Sequence, residues 1–127
     1  MARILVIDDD INLRKMLGQA LELAGYEVAL AADGREGVAS FRAQPTDVVI
    51  TDLYMPNQEG LETIMELHRD FPAVPIIAMS GKRPAGALLS VAQRLGAVGI
   101  LEKSFSADEL LAAVEHALQR ERSGQSG

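Results

Sequence analysis

Five times along this chain a short run rich in Val and Ile gives way to a longer segment whose apolar residues recur at helical spacing. No other feature restricts the possible folds as severely. The runs occupy residues 3–7, 27–31, 47–51, 74–79 and 98–101. Polar alternation is nearly absent from them, the pattern of strands buried on both faces. Strands of that kind belong to a parallel sheet, and the segments between them supply the helices that cover it. The expected class is therefore α/β, in a single domain of 127 residues, a length sufficient to bury a real core.

The helical segments carry their own punctuation. In the first, Leu13, Met16, Leu17, Ala20, Leu21 and Ala24 mark one stripe, and Gly25 ends it as a C-terminal cap. The second opens at Asp33-Gly34 and runs to about Ala43, turning Val38 and Phe41 inward. The third follows Pro56 and ends at Asp70 before Phe71-Pro72, with Leu61, Ile64 and Met65 on its apolar side. The fourth carries Leu88, Val91, Ala92 and Leu95 and stops at Gly96. The fifth begins with a capping box, Ser106 and Glu109, and buries Leu110, Val114, Ala117 and Leu118. Residues 1–121 are read as the folded domain. Residues 122–127, with linker composition, are read as a flexible tail: the stub of a link to another domain, a frayed end, or a leftover of cloning.

Composition removes several functions. The net charge is -6 and the pI near 4.8, whereas a nucleic-acid binder usually carries a basic stripe to meet phosphates. Aromatic residues are 4% and Trp is absent, so no base-stacking platform is expected. Direct contact with nucleic acid is not expected. With no Cys there can be neither disulfides nor thiolate metal sites nor thiol nucleophiles. The apolar run Ile4-Leu5-Val6-Ile7 stops at Asp8, too early for a signal peptide. No stretch approaches the roughly 18 apolar residues of a membrane span. A cytoplasmic protein without a membrane segment is expected.

In an open α/β sheet, ligands bind beyond the carboxyl ends of the strands. Those ends are acidic here: the first strand runs into Asp8-Asp9-Asp10 and the third into Thr51-Asp52. The fourth ends in Ser80-Gly81, and Lys103 follows the fifth. Carboxylates about 5 Å apart repel by roughly 3 kcal/mol at an effective dielectric of 20, so a cluster of three calls for a cation or a proton. A hard divalent ion answers this, and Mg²⁺ is the usual choice where phosphate is also coordinated. An acidic nucleophile, a metal, a Lys and a hydroxyl are the parts that phosphoryl transfer uses.

Taken in order, Ile4-Leu5-Val6-Ile7-Asp8-Asp9-Asp10, Thr51-Asp52-Leu53-Tyr54-Met55-Pro56, Gly60, Ser80-Gly81 and Glu102-Lys103 resemble the signature of response regulator receiver domains in two-component signalling. The resemblance covers about residues 2 to 120. It implies a doubly wound, flavodoxin-like five-stranded parallel sheet of order 2-1-3-4-5 with five helices. It also implies that Asp52 is the phosphoacceptor. Asp9, Asp52 and the backbone carbonyl of Tyr54 would ligate Mg²⁺ directly, with Asp8 acting through water. Ser80 and Lys103 would contact the phosphoryl oxygens. The donor would be a sensor histidine kinase or histidine phosphotransfer protein, and the recipient of the signal an output domain or target protein. Signalling through the fourth helix, fifth strand and fifth helix follows from the same likeness, with homodimerisation through that face. Such a chain is a regulatory phosphoacceptor rather than an enzyme.

Three positions depart from the pattern. Ser104 stands where the family usually has Pro, which bears on how Lys103 is placed. Ile100 stands where many relatives have Tyr or Phe. The segment Gly81-Lys82-Arg83-Pro84-Ala85-Gly86 is one residue longer than usual, predicting a mobile loop and a short fourth helix. Tyr54 invites a specific expectation: its ring would shield a phosphoryl group on Asp52 from water. Blander readings remain alongside. Asp10 reads as a helix cap, His68 as structural, His116 as solvated, and Arg120-Glu121-Arg122 as a charged helix end. Two rival functions are an interaction module that no longer uses phosphorylation and a small aspartate-nucleophile phosphatase of the haloacid dehalogenase kind. The latter would use Asp8 and Asp10, but Asn12 stands where that motif usually has Thr or Val, and the chain has no room for a cap domain.

Overall fold

A computed structural model describes residues 2–53, 59–81, 86–102 and 104–126, with backbone alone for residues 59, 86–89 and 121–126. Its elements alternate strictly: β1 (Arg3–Ile7), α1 (Ile11–Leu23), β2 (Glu27–Ala31), α2 (Gly34–Ala43), β3 (Val48–Asp52), α3 (Glu59–Asp70), β4 (Ile76–Ser80), α4 (Gly86–Arg94), β5 (Ala97–Glu102) and α5 (Ala107–Ser126). All strand pairs are parallel and the order is β2-β1-β3-β4-β5. This is the doubly wound architecture implied by the sequence.

Alternation along each central strand divides the core in two. Leu5, Ile7, Val49, Ile76 and Ala78 face one layer with Val38, Phe41, Ile64, Leu67 and Ala92. Ile4, Val6, Val48, Ile50, Ile77 and Met79 face the other with Leu17, Leu21, Leu110, Val114 and Ala117. Every residue of β3 and β4 is buried, which explains why their sequences lack a polar face. The outer strands β2 and β5 are only partly covered, and Leu30 is left 41% exposed.

The predicted caps are present. Asp10 accepts from the N–H groups of Asn12 and Leu13, and Asp33 accepts from that of Glu36 at 2.8 Å. Ser106 and Glu109 bond reciprocally at the start of α5. Gly25 and Gly96 take positive φ, 98° and 123°, after α1 and α4, a conformation in which a Cβ is penalised.

Several details differ from expectation. Met16, Met65 and Val91 are 62%, 52% and 41% exposed rather than buried. The lines that reach the core are Leu17 with Leu21 and Ile64 with Leu67; Met16 and Met65 each stand one residue, about 100° of helix, from such a line. Leu88 lies outside the described side chains. β4 begins at Ile76 rather than at residue 74, because the Val74 N–H is taken by the Phe71 carbonyl (3.1 Å) in a turn and Pro75 has none to give. β3 and β4 each continue one residue further than their apolar runs, ending on Asp52 and Ser80 themselves. As expected, α4 is short, at 9 residues; residues 82–85 of the loop before it lie outside the described part. α5 continues to Ser126, through most of the segment with linker composition. Among the described residues no helix is long and apolar enough to cross a membrane.

Candidate metal centre

Parallel pairing of β1 with β3 sets Ile7 beside Thr51. The chain therefore brings Asp8 and Asp52, forty-four positions apart, to neighbouring strand ends. Both are buried, Asp8 at 0% and Asp52 at 1% exposure, while Asp9 is exposed. One carboxylate oxygen from each of the three lies within 4.8 Å of the others. β4 adds Ser80 at the end of the next strand, 1% exposed. Its Oγ has no hydrogen-bond partner among the described residues.

The turn from β1 into α1 holds the acidic pair in place. The Asp8 N–H donates to the Ala31 carbonyl (3.1 Å). Asp8 Oδ1 accepts from the Asp10 N–H (2.9 Å), and Asp10 in turn caps α1. From the first turn of that helix Arg14 reaches back, its Nη1 donating to the Asp8 carbonyl at 2.7 Å. On the other strand, the Thr51 hydroxyl donates to the Asp52 carbonyl (3.2 Å) and the Leu53 N–H to the Met79 carbonyl (2.9 Å).

Gly60 explains how α3 fits beside this centre. A Cβ built there would stand 2.3 Å from the Asp52 carbonyl oxygen and 2.6 Å from Leu53 Cα. The helix thus starts against bare backbone, and only Gly allows that approach.

Three carboxylates this close cannot all be charged without compensation. Their donor set is all oxygen, two of its three members are withdrawn from water, and the third opens to solvent. That suits a hard divalent cation that keeps some of its water, the habit of Mg²⁺. The sequence-predicted ligands Asp8, Asp9 and Asp52 are thus brought together, with Ser80 on the neighbouring strand. Tyr54 and Lys103 lie outside the described residues; Glu102, just before Lys103, pairs with Ser80.

Comparison with known proteins decides the family. Residues 4–115 match the response regulator receiver domain. The chain belongs to that family. Over 121 residues the receiver is 39% identical to the C4-dicarboxylate transport transcriptional regulatory protein DctD of Pseudomonas aeruginosa, covering 94% of this chain and 26% of the relative. It is 36% identical to response regulator MprA of Mycolicibacterium vanbaalenii, covering 93% of the chain and 51% of that protein. The chain thus spans from about a quarter to half of these curated relatives. A solved receiver domain from Clostridium thermocellum superposes with a TM-score of 0.90 at 31% identity, covering 96% of this chain and 98% of the other. The receiver is thus part of two-component signal transduction, and its acidic cluster is consistent with the metal site of that family.

Sequence reading passed over Arg14, which looks like any surface cation on an amphipathic helix. It noted Gly60 without the reason for it. A basic residue six positions beyond a strand-end Asp, in the first turn of the following helix, is the signal that was available for Arg14.

His68 and His116 are both exposed, and neither approaches the acidic cluster as a ligand.

Proposed function

We propose that this receiver accepts a phosphoryl group on Asp52 from the phosphohistidine of a sensor kinase or histidine phosphotransfer protein, and that the product alters binding of an output domain or target protein. The observation that carries this reading is the convergence of Asp8, Asp9 and Asp52 within 4.8 Å at the ends of two adjacent strands. Mg²⁺, held by Asp9, Asp52 and the Tyr54 carbonyl with Asp8 behind water, would neutralise charge on the transferring oxygens.

The chain's own residues set the rest. Asp52 Oδ attacks phosphorus in line as the donor's N–P bond breaks, so one P–O bond replaces one P–N bond and the imidazole leaves. Buried as the last residue of β3, Asp52 presents its carboxylate away from bulk water. The Ser80 hydroxyl, with no partner among the described residues, is free to donate to a phosphoryl oxygen, and Lys103 supplies a positive charge. The acyl phosphate carries about two negative charges in place of the carboxylate's one. Ser80 and Lys103 drawn toward it would shift an existing equilibrium between two arrangements of the α4–β5–α5 face, where a homodimer would also form. The setting is cytoplasmic.

Beryllofluoride with Mg²⁺ tests this directly. The wild type should bind it and show chemical-shift changes in α4, β5 and α5, while Asp52→Asn should show none. Identical spectra for the two proteins would leave an interaction module that does not use phosphorylation.

A further inference from the structure

Among the described residues, Arg14 is a basic side chain that bonds the backbone of the acidic turn. Its partner is informative. The Asp8 carbonyl belongs to the peptide that carries Asp9, so the bond fixes the plane from which the exposed carboxylate projects. Neighbouring bonds fix the flanks of that peptide: Asp8 N–H to Ala31, Asp10 N–H to Asp8 Oδ1, and the Arg14 N–H to the Asp10 carbonyl at 2.9 Å. Without the guanidinium, the carbonyl before Asp9 would lose the side-chain donor that orients it. Arg14 is partly buried, so its bond competes with water less than a fully exposed one would.

We infer that Arg14 is a positioning residue, which holds the Asp8–Asp9 peptide so that the Asp9 carboxylate meets the divalent ion without reorganisation. This rests on the reading of Asp8, Asp9 and Asp52 as the metal site. The two conceivable effects of Arg14 have opposite signs. As a nearby positive charge it would weaken cation binding, and its removal would tighten Mg²⁺. As an anchor of ligand geometry its removal would weaken Mg²⁺, by about 10-fold on the scale of outer-shell partners in other metal sites.

Isothermal titration of Mg²⁺ into the full chain separates these, using wild type, Arg14→Ala, Arg14→Gln and Asp9→Asn. The expected result is about 10-fold weaker binding for Arg14→Ala. Arg14→Gln, which keeps an N–H donor without the charge, should recover part of that loss, and the loss should persist in 0.5 M salt, above the roughly 0.1–0.15 M at which exposed charges are already screened. Equal or tighter binding by Arg14→Ala overturns the inference while leaving the metal site intact. So does equal weakening by Ala and Gln, since the charge would then be the cause. Failure of the wild type to bind Mg²⁺ overturns both readings, and Asp9→Asn supplies the reference for a lost ligand. Thermal melts without Mg²⁺ guard against a misfolded variant: if Arg14→Ala is unfolded, Arg14→Gln decides, weaker binding than wild type that persists in high salt supporting the inference and equal or tighter binding overturning it.

Discussion

α3 touches two clusters of charge, one at each end, and they are built on opposite plans. At its start, Gly60 lies against Asp52, part of a group of three carboxylates with two of them buried. At its end, Glu66 and Asp70 meet Arg42 of α2 on the surface, and Arg69 joins Asp70. The second cluster answers its own charges. Arg42 Nη2 reaches Glu66 Oε2 at 3.1 Å, Arg69 Nε reaches Asp70 Oδ1 at 2.8 Å, and Arg42 also stacks over Phe71, itself packed on Phe41. Hydrogen bonds from Arg69 and then Arg42 hold the Asp70 carboxyl far below the usual carboxylate range. The first cluster draws three carboxylates together at the rim of the sheet. A cluster whose opposite charges pair across two helices joins them, whereas an all-oxygen group at a strand-end rim suits a hard cation that arrives from outside.

That contrast is open to attack at three points. The largest effect is expected at Gly60. Gly60→Ala forces the start of α3 off the Asp52–Leu53 backbone, with a loss of stability of about 1–3 kcal/mol for overpacking, read from urea denaturation. Mg²⁺ affinity should fall with it, since the moved backbone carries Asp52, a proposed ligand. Unchanged affinity in a destabilised protein would show that α3 supports the fold without shaping the site.

Ser80→Ala comes next, and its two readouts should part company. Deleting a buried hydroxyl that has no partner among the described residues should leave stability within about 0.5 kcal/mol or raise it, since an unsatisfied buried group carries a penalty of about 1–3 kcal/mol. Beryllofluoride binding should nevertheless weaken. A clear loss of stability would mean that the hydroxyl is already engaged in the resting protein.

Asp70→Asn is the smallest. Surface ion pairs contribute little, so the melting temperature should drop slightly at pH 7, less so in high salt, with Mg²⁺ affinity unaltered. The pH dependence has a definite sign. A carboxyl whose folded pKa is depressed stabilises the fold above its unfolded value, near 3.8, and that contribution fades as pH falls below it toward the folded pKa. The gap between wild type and Asp70→Asn should therefore be constant from pH 7 to about 5 and shrink below 3.8.

The sequence exposed the frame of this molecule well, for reasons that are physical. Val- and Ile-rich runs such as Ile4-Leu5-Val6-Ile7 name strands buried on both faces, and the caps at Asp10, Asp33 and Ser106 name helix starts by chemistry that is local. The three carboxylates were legible because strand ends in a doubly wound sheet share one rim. Details that depend on distant partners were not. Helical spacing put Met16 and Met65 inside, since adjacent stripes differ by one residue and only packing chooses between them. Arg14 and Lys15 look alike as helix cations, and only the six-residue spacing back to Asp8 marks the first of them. Glycine at position 60 is visible as a residue, but the backbone it meets belongs to another element.

The pairing of Ile7 with Thr51 has a last consequence. Adjacent strands lie about 4.8 Å apart wherever they bond, so the spacing between the two inner acids is inherited from the backbone lattice. Side-chain evolution elsewhere can retune which partners the receiver meets. The gauge of the cage itself stays fixed as long as the central ladder does.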